Sequence, residues 1–359
     1  MTIKAAGNPL EFSEIEAEFG AQSPRSLGAY RHSQTVNGLT FNGIDTGIPS
    51  GSNDEIKFSD FYGKSLNIVV DCFSNPSTDE FRVNAKSKYI NNDIVIINPT
   101  TVSKKQNGAK ITIRVNKKFG SNKNSVNHCA LRTGTWSNPA ALIVDLGSNA
   151  KVYGAGGNGG EGADGVGANN VGENGDKGGD GSSGLGIQHQ GTVINFRSGA
   201  IIRRGYGGGG GGGGGRETSK VDRRAGGGGG GGGAGFPIGL GGVGGKPQGG
   251  TNKEAAKGSG GSNATETTGG TGGNGGDNQD QAFGGKGGDG GQNGKLAESG
   301  DNSSIENQTN KEPPDNYSSV AGARGINGAA IRKTSNSISF SFGINNGTAE
   351  GSTTAIGVA

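Results

Sequence analysis

The chain of 359 residues has little of what an ordinary enzyme core is built from. Only 29% of its residues are hydrophobic, so one large apolar core cannot run through its whole length. Cysteine occurs twice, at Cys72 and Cys129, which is too few for a disulfide framework. Both cysteines sit among apolar neighbours, which favours buried free thiols and leaves a single bridge open. The histidines, His32, His128 and His189, stand far apart with no metal-ligand spacing. His128 beside Cys129 resembles a catalytic pair, but it falls among strand residues. No phosphate-binding Gly-x-x-x-x-Gly-Lys-Ser/Thr run is present, nor a Gly-x-Gly-x-x-Gly in a βαβ context. The expectation is therefore a non-enzyme with no catalytic residue, cofactor or metal.

Charge is nearly balanced at +3 with no basic run, which argues against nucleic acid as a partner. No stretch approaches a membrane span, so no membrane insertion is expected. Met1 to Gly7 lacks the apolar stretch of a secretory signal. Isolated Asp145, Asp164, Asp176 and Asp180 could ligate calcium, but acids between glycines more often solvate an edge.

Proline is scarce where glycine is dense. Of 79 glycines, 60 fall between Gly154 and Gly300, a region with only Pro237 and Pro247. The glycines keep a period of three. Gly172, Gly175, Gly178, Gly181 and Gly184 are one such row, and Gly285, Gly288, Gly291 and Gly294 another. Three residues per turn is the repeat of the polyproline II helix. Without proline, a collagen triple helix is disfavoured.

Segments such as Gly269-Gly270-Thr271-Gly272-Gly273-Asn274 leave two bare faces and one polar edge. Bare faces let neighbouring helices hydrogen-bond backbone to backbone. Gly207 to Gly215 and Gly226 to Gly233 are bare all round and fit the centre of such a packing. The expected architecture is a bundle of polyglycine helices over 154–342. The alternative is a disordered low-complexity tail. The registered triplets argue against it, because a flexible linker has no reason to keep a period.

The rest reads as mainly β and irregular. Residues 1–64 form a small helical module, with Leu10, Phe12, Ile15 and Phe19 as its stripe. Phe58, Phe61 and Tyr62 close it, either as its core or as docking contacts to a partner. Residues 66–152 read as short strands, expected to form a sandwich-like or rolled support domain. Residues 343–359 are expected to be a tail, with room for one hairpin.

Leu142 to Gly154 reads as strand, turn, strand, then glycine. Val193 to Gly205 repeats that order, which suggests strand pairs anchoring the bundle. Gly328 to Thr334 and Ser337 to Phe342 look like strands returning to this base.

Binding usually lives on loops displayed by a rigid scaffold. Arg216, Glu217, Lys220, Asp222, Arg223 and Arg224 form a charged tip between the two barest runs. Asn302, Asn316 and Tyr317 decorate the longest interruption, 295–320, a composition suited to glycans or surface proteins. Each loop could equally be a plain solvated turn.

Three stretches carry a resemblance. They are Ala130-Leu131-Arg132-Thr133-Gly134-Thr135-Trp136-Ser137, the strand-to-glycine passage from Leu142 to Gly160, and Gly325-Ile326-Asn327-Gly328-Ala329-Ala330-Ile331. Over about residues 126–342 the chain resembles the glycine-rich receptor-binding tail-fibre adhesins of bacteriophages. Ile48-Pro49-Ser50-Gly51 with Ile56 to Lys64 resembles the N-terminal module of many phage virion structural proteins.

The resemblance implies a virion protein at the tail fibre or tail tip, made in the host cytoplasm. Its expected partners are other tail or baseplate proteins and a host receptor, either a glycan or an outer-membrane protein. A homo-oligomer is compatible with it. Those adhesins usually bind the tip of another fibre, whereas this leading module suggests docking to a different virion component. The rival readings are a purely structural baseplate, tail or capsid-decoration component, and an ice-binding protein.

Overall fold

A computed structural model describes residues 3–19, 26–27, 33–36, 39–42, 53–64, 67–71, 81–82, 110–121, 125–134, 136, 139, 141–165, 173–217, 223–247, 255–278, 282–303 and 317–358. The described part is mainly β, with a single α-helix, α1 (Phe12–Phe19). The framework is a stack of parallel coils.

β1 (Ser33–Val36) and β2 (Leu39–Asn42) make an antiparallel hairpin ahead of β3 (Asn67–Asp71) and β4 (Phe81–Arg82). Complete coils follow, each with one strand on each of three faces. The first is β5 (Lys110–Val115), β6 (Lys118–Gly120) and β7 (Cys129–Arg132). The second is β8 (Ala141–Leu146), β9 (Lys151–Tyr153) and β10 (Ser183–Ile187). β11 (Thr192–Phe196) and β12 (Ile201–Arg203) begin the third coil.

Six short strands lie away from the coils: β13 (Gly215–Glu217), β14 (Arg223–Ala225), β15 (Ala255–Ala256), β16 (Asp277–Asn278), β17 (Ala282–Phe283) and β18 (Tyr317–Ser318). β19 (Ile331–Lys333) then completes the third coil. β20 (Phe340–Asn345), β21 (Thr348–Glu350) and β22 (Ala355–Ile356) make the last. The faces are β3-β5-β8-β11-β20, β4-β6-β9-β12-β21 and β7-β10-β19-β22, and all their pairings are parallel.

Alternation along each strand sends one side chain in and the next out. Ile111, Ile113 and Val115 point inward, and Leu142, Val144 and Leu146 stack on them one coil above. Phe119, Val152 and Ile202 line the second face, and Leu131, Leu185 and Ile331 the third. These residues belong to one apolar cluster.

The expected sandwich-like support domain is therefore corrected. Strands of 66–152 pair in parallel with β10, β11 and β12, about fifty residues later, so the unit cannot close on itself. The expected tail at 343–359 is corrected too, since it continues β20 and supplies β21 and β22 of the last coil. The boundary near residue 65 is crossed by backbone pairing, because β2 bonds β3 with Phe41 opposite Val70.

The glycine region is inserted twice between the second and third faces. Residues 154–182 join β9 to β10, and residues 204–330 join β12 to β19. Inside the insertions, ten segments lie side by side among the described residues: 154–165, 173–182, 205–214, 226–234, 239–246, 257–263, 269–276, 284–291, 297–303 and 319–328.

Their hydrogen bonds recur at every third residue. Gly156, Gly159, Gly162 and Gly165 donate in turn to the carbonyls of Pro237, Leu240, Val243 and Lys246. Gly157, Gly160 and Ala163 donate to Tyr206, Gly209 and Gly212. Successive segments alternate in direction. For example, Gly227, Gly230 and Gly233 donate to Ala163, Gly160 and Gly157.

Segment 205–214 is bonded to six neighbours: 154–165, 173–182, 226–234, 284–291, 297–303 and 319–328. Segment 226–234 is likewise bonded to 154–165, 205–214, 239–246, 257–263, 269–276 and 284–291. The pattern is a hexagonal lattice in layers of three, four and three, with the two glycine-only runs in the middle. Buried backbone groups need partners, and here neighbouring backbones supply them. A methyl group on Gly230 would lie 2.1 Å from the Gly209 carbonyl oxygen, so only glycine allows this approach.

Candidate functional site

The lattice has two unlike ends. At the solenoid end, the turns 235–238 and 263–268 pack on the second face. Ser121 N donates to Phe236 O at 3.3 Å, and Lys118 Nζ lies 4.3 Å from the Phe236 ring centroid. Lys118 also pairs with Glu266 at 2.7 Å. This end is anchored.

The far end carries the other connections. Gly215, the last residue of the central run, enters β13 there. β15-β14-β13-β18 form one four-stranded sheet, and β16 pairs with β17 beside it. Five connections leave from this end, at 166–172, 218–222, 248–254, 279–281 and 304–316. All five lie wholly outside the described residues, and their described flanks end here.

Residues singled out in two distant loops meet here. Arg216 on β13 stands opposite Arg224 on one side and Tyr317 on the other. Glu217 stands opposite Arg223. Antiparallel pairing thus puts Tyr317 beside Arg216 although a hundred residues separate them in sequence. Lys220, Asp222 and Asn316 lie outside the described residues.

Arg224 is only 3% exposed. It is built into the sheet, which corrects its expected place on an open tip. Asn302 is exposed on an outer edge, where its Oδ1 accepts from Ala321 N at 2.9 Å. It works as a strut between 297–303 and 319–328.

Other edge side chains do the same. Asn158 Oδ1 accepts from Leu240 N at 3.0 Å, and Asp164 Oδ1 from Lys246 N at 2.6 Å. Asp180 Oδ1 accepts from both Ile326 N and Lys177 Nζ, and Asp145 pairs with Arg197. Three of the four acids considered for calcium, Asp145, Asp164 and Asp180, have these partners, and no metal-ligating cluster occurs among the described residues. Periodicity identified the edge positions, but nothing in the sequence showed that their side-chain oxygens cap neighbouring N–H groups.

The N-terminal candidates divide in two. Phe61 is fully buried with Ile3 and Ile15, which removes it from any docking surface. Tyr62 spends its hydroxyl on Asn8 O at 2.6 Å. Phe58 is 40% exposed and meets Phe12 edge to face at 5.9 Å, so this pair is an accessible aromatic feature among the module's described residues. Phe19 ends α1, and its side chain lies outside the described residues.

The thiol and imidazole raised as a catalytic pair are not one. Cys129 is a free, buried thiol whose burial pushes its pKa up to about 12, against the smaller opposing pull of Arg132 and Arg332. A thiol held so firmly protonated is no nucleophile. Cys72 lies outside the described residues.

No match was found among curated proteins or among solved structures. The family model described as "Phage tail fibre adhesin Gp38" matches residues 80–354, which takes in the solenoid from β4 through β21 and every glycine segment. The chain belongs to the Gp38 family of phage tail fibre adhesins.

Proposed function

We propose that this adhesin binds the host surface through the five connections at its capped end, and that the glycine segments are polyglycine II helices. The observation that carries the reading is convergence. Connections separated by up to 150 residues leave from one end of a lattice whose other end is anchored. A hydrogen bond at every third residue supports the helix assignment, since polyproline II geometry has three residues per turn. At its rise of about 3.1 Å, an eight- to ten-residue run spans about 25–30 Å.

Division of labour follows. The glycine lattice makes no sequence-specific contact of its own, so specificity belongs to Arg216, Glu217, Lys220, Asp222, Arg223, Asn316 and Tyr317 and their neighbours. Arg224 holds the sheet beneath them. The receptor is a surface glycan or an outer-membrane protein. The solenoid end and residues 1–64, with the Phe12–Phe58 pair, face other tail or baseplate proteins. The protein therefore sits on the virion tail.

The ice-binding alternative needs a flat face of small, regular residues. Here Leu240, Val243, Val320 and Ile326 stand 47–60% exposed on outer edges, beside Lys246 and Asp180. Absence of thermal hysteresis in purified protein is the expected result.

The deciding experiment shortens 218–222 and 304–316 to minimal turns and measures binding to host cells. Binding is expected to fall at least tenfold while the melting temperature stays within a few degrees. Unchanged binding would favour a purely structural baseplate, tail or capsid-decoration component.

A further inference from the structure

The base of the central segment holds three buried donors without acceptors. Tyr206 is 1% exposed and its hydroxyl has no partner among the described residues. The Asn327 Nδ2 and Arg204 Nε atoms are also buried, with no partner among the described residues. Buried polar groups left alone are few in native proteins, and each needs an account.

The three side chains are neighbours. The Arg204 guanidinium carbon lies 4.8 Å from the Tyr206 ring centroid. Asn327 and Tyr206 flank Gly291: a methyl group there would lie 3.2 Å from Tyr206 Cβ and 3.4 Å from Asn327 Oδ1. Gly351 leaves room for the Arg204 stem, since a methyl group on it would come within 2.8 Å of Arg204 Cδ. Gly207 N donates to Asn327 Oδ1 at 2.8 Å, which fixes the amide orientation and leaves its NH2 as the free end.

The chemistry has one sign. Asn Nδ2 and Arg Nε only donate, and the tyrosine hydroxyl can donate. The guanidinium brings a positive charge. Glu350, on the adjoining coil, gives both carboxylate oxygens to Arg203. Arg204 forms no ion pair among the described residues. Donors plus an unbalanced cation at a buried point suit a small monovalent anion of halide size.

We infer that Arg204, Tyr206 and Asn327 form a buried chloride-type anion site where the central glycine segment leaves the solenoid. The site is complete only when Asn327, at the end of the last segment, and the coil at Gly351 have both arrived. Anion binding would therefore stabilise the closed junction between lattice and solenoid.

The test is thermal unfolding of the full chain in sodium chloride and in sodium gluconate at equal ionic strength. Melting is expected to be higher in chloride by about 2 °C or more, and the increment should saturate with chloride concentration. Tyr206→Phe and Arg204→Gln should each abolish the increment. If the site is empty, Tyr206→Phe removes an unsatisfied hydroxyl and leaves stability equal or higher. Crystals soaked in bromide should show an anomalous peak within about 3.5 Å of Tyr206 Oη. Equal melting in the two salts, an increment that survives in Tyr206→Phe, or water alone at the site would each overturn the inference.

Discussion

Arg203 and Glu350 meet as a two-bonded pair across adjacent coils of the second face, at 2.7 and 2.9 Å. Their side chains are only 11% and 15% exposed, and the Arg203 guanidinium lies 4.7 Å from the Tyr153 ring centroid. Burial works against the arginine's charge, but the Glu350 hydrogen bonds hold its pKa above the ordinary guanidinium value. Arg203 is the last strand residue before the long insertion, and Glu350 comes after it. The pair thus ties together the chain on both sides of the lattice. Glu350→Ala should cost about 3–5 kcal/mol by stranding a buried charge, and Glu350→Gln less, because a hydrogen bond survives. Denaturant unfolding of the two variants checks the order.

Glycine tolerance should map the lattice. Gly230 has six segments around its run, and an added methyl group would meet backbone at 2.1 Å. Gly260 lies on an outer corner, where the nearest atom is 3.2 Å away. Gly230→Ala is expected to destabilise by at least about 3 kcal/mol, with expression loss as the extreme. Gly260→Ala should cost under about 1 kcal/mol. Similar melting temperatures for the two would mean that the backbone lattice yields more than close packing allows.

How much of this the sequence displays depends on which atoms make the contact. The lattice is legible because backbone bonds recur with the chain's own period, so rows like Gly156 to Gly165 carry its geometry. The strand-turn-strand repeat at Leu142 to Tyr153 and Val193 to Arg203 is legible too, and it is the coil repeat. The closure of those coils is not. Parallel partners such as Val193 and Ser341 are separated by the whole insertion, and short alternating strands suit a sandwich equally well. At the site, the charged run at 216–224 and Tyr317 stand out by composition. Their pairing across β13 and β18, and the burial of Arg224, arise from tertiary register that no local signal encodes.

The thiol of Cys129 gives a pH dependence with a definite sign. Burial raises its folded pKa from 9.0 to about 12. Between these values the unfolded chain releases the proton while the folded chain keeps it. Unfolding therefore gains as pH rises, and the contribution is intact below pH 9. The slope is about 1.4 kcal/mol per pH unit across that window. Cys129→Ala should flatten the stability–pH curve above pH 9 relative to the parent, as read from denaturant midpoints at fixed temperature. In a Cys72→Ser background, thiol labelling at pH 8 should follow the unfolding rate.

The coils should survive removal of the lattice, provided that both insertions go together. The last coil shows the minimum link, since β21 and β22 are joined by residues 351–354 alone. Replacing 154–182 and 204–330 with links of that length keeps all three faces in register. Removing only the second insertion is different. Gly157, Gly160 and Ala163 would lose their acceptors at Tyr206, Gly209 and Gly212, and the carbonyls of Ala163, Gly160 and Gly157 their donors. The double excision is expected to give a β-rich protein that unfolds cooperatively. The single excision should leave residues 154–182 readily cleaved by protease. If the double excision fails to fold while the single one does, the lattice is an integral part of the core and not an insertion carried by the solenoid.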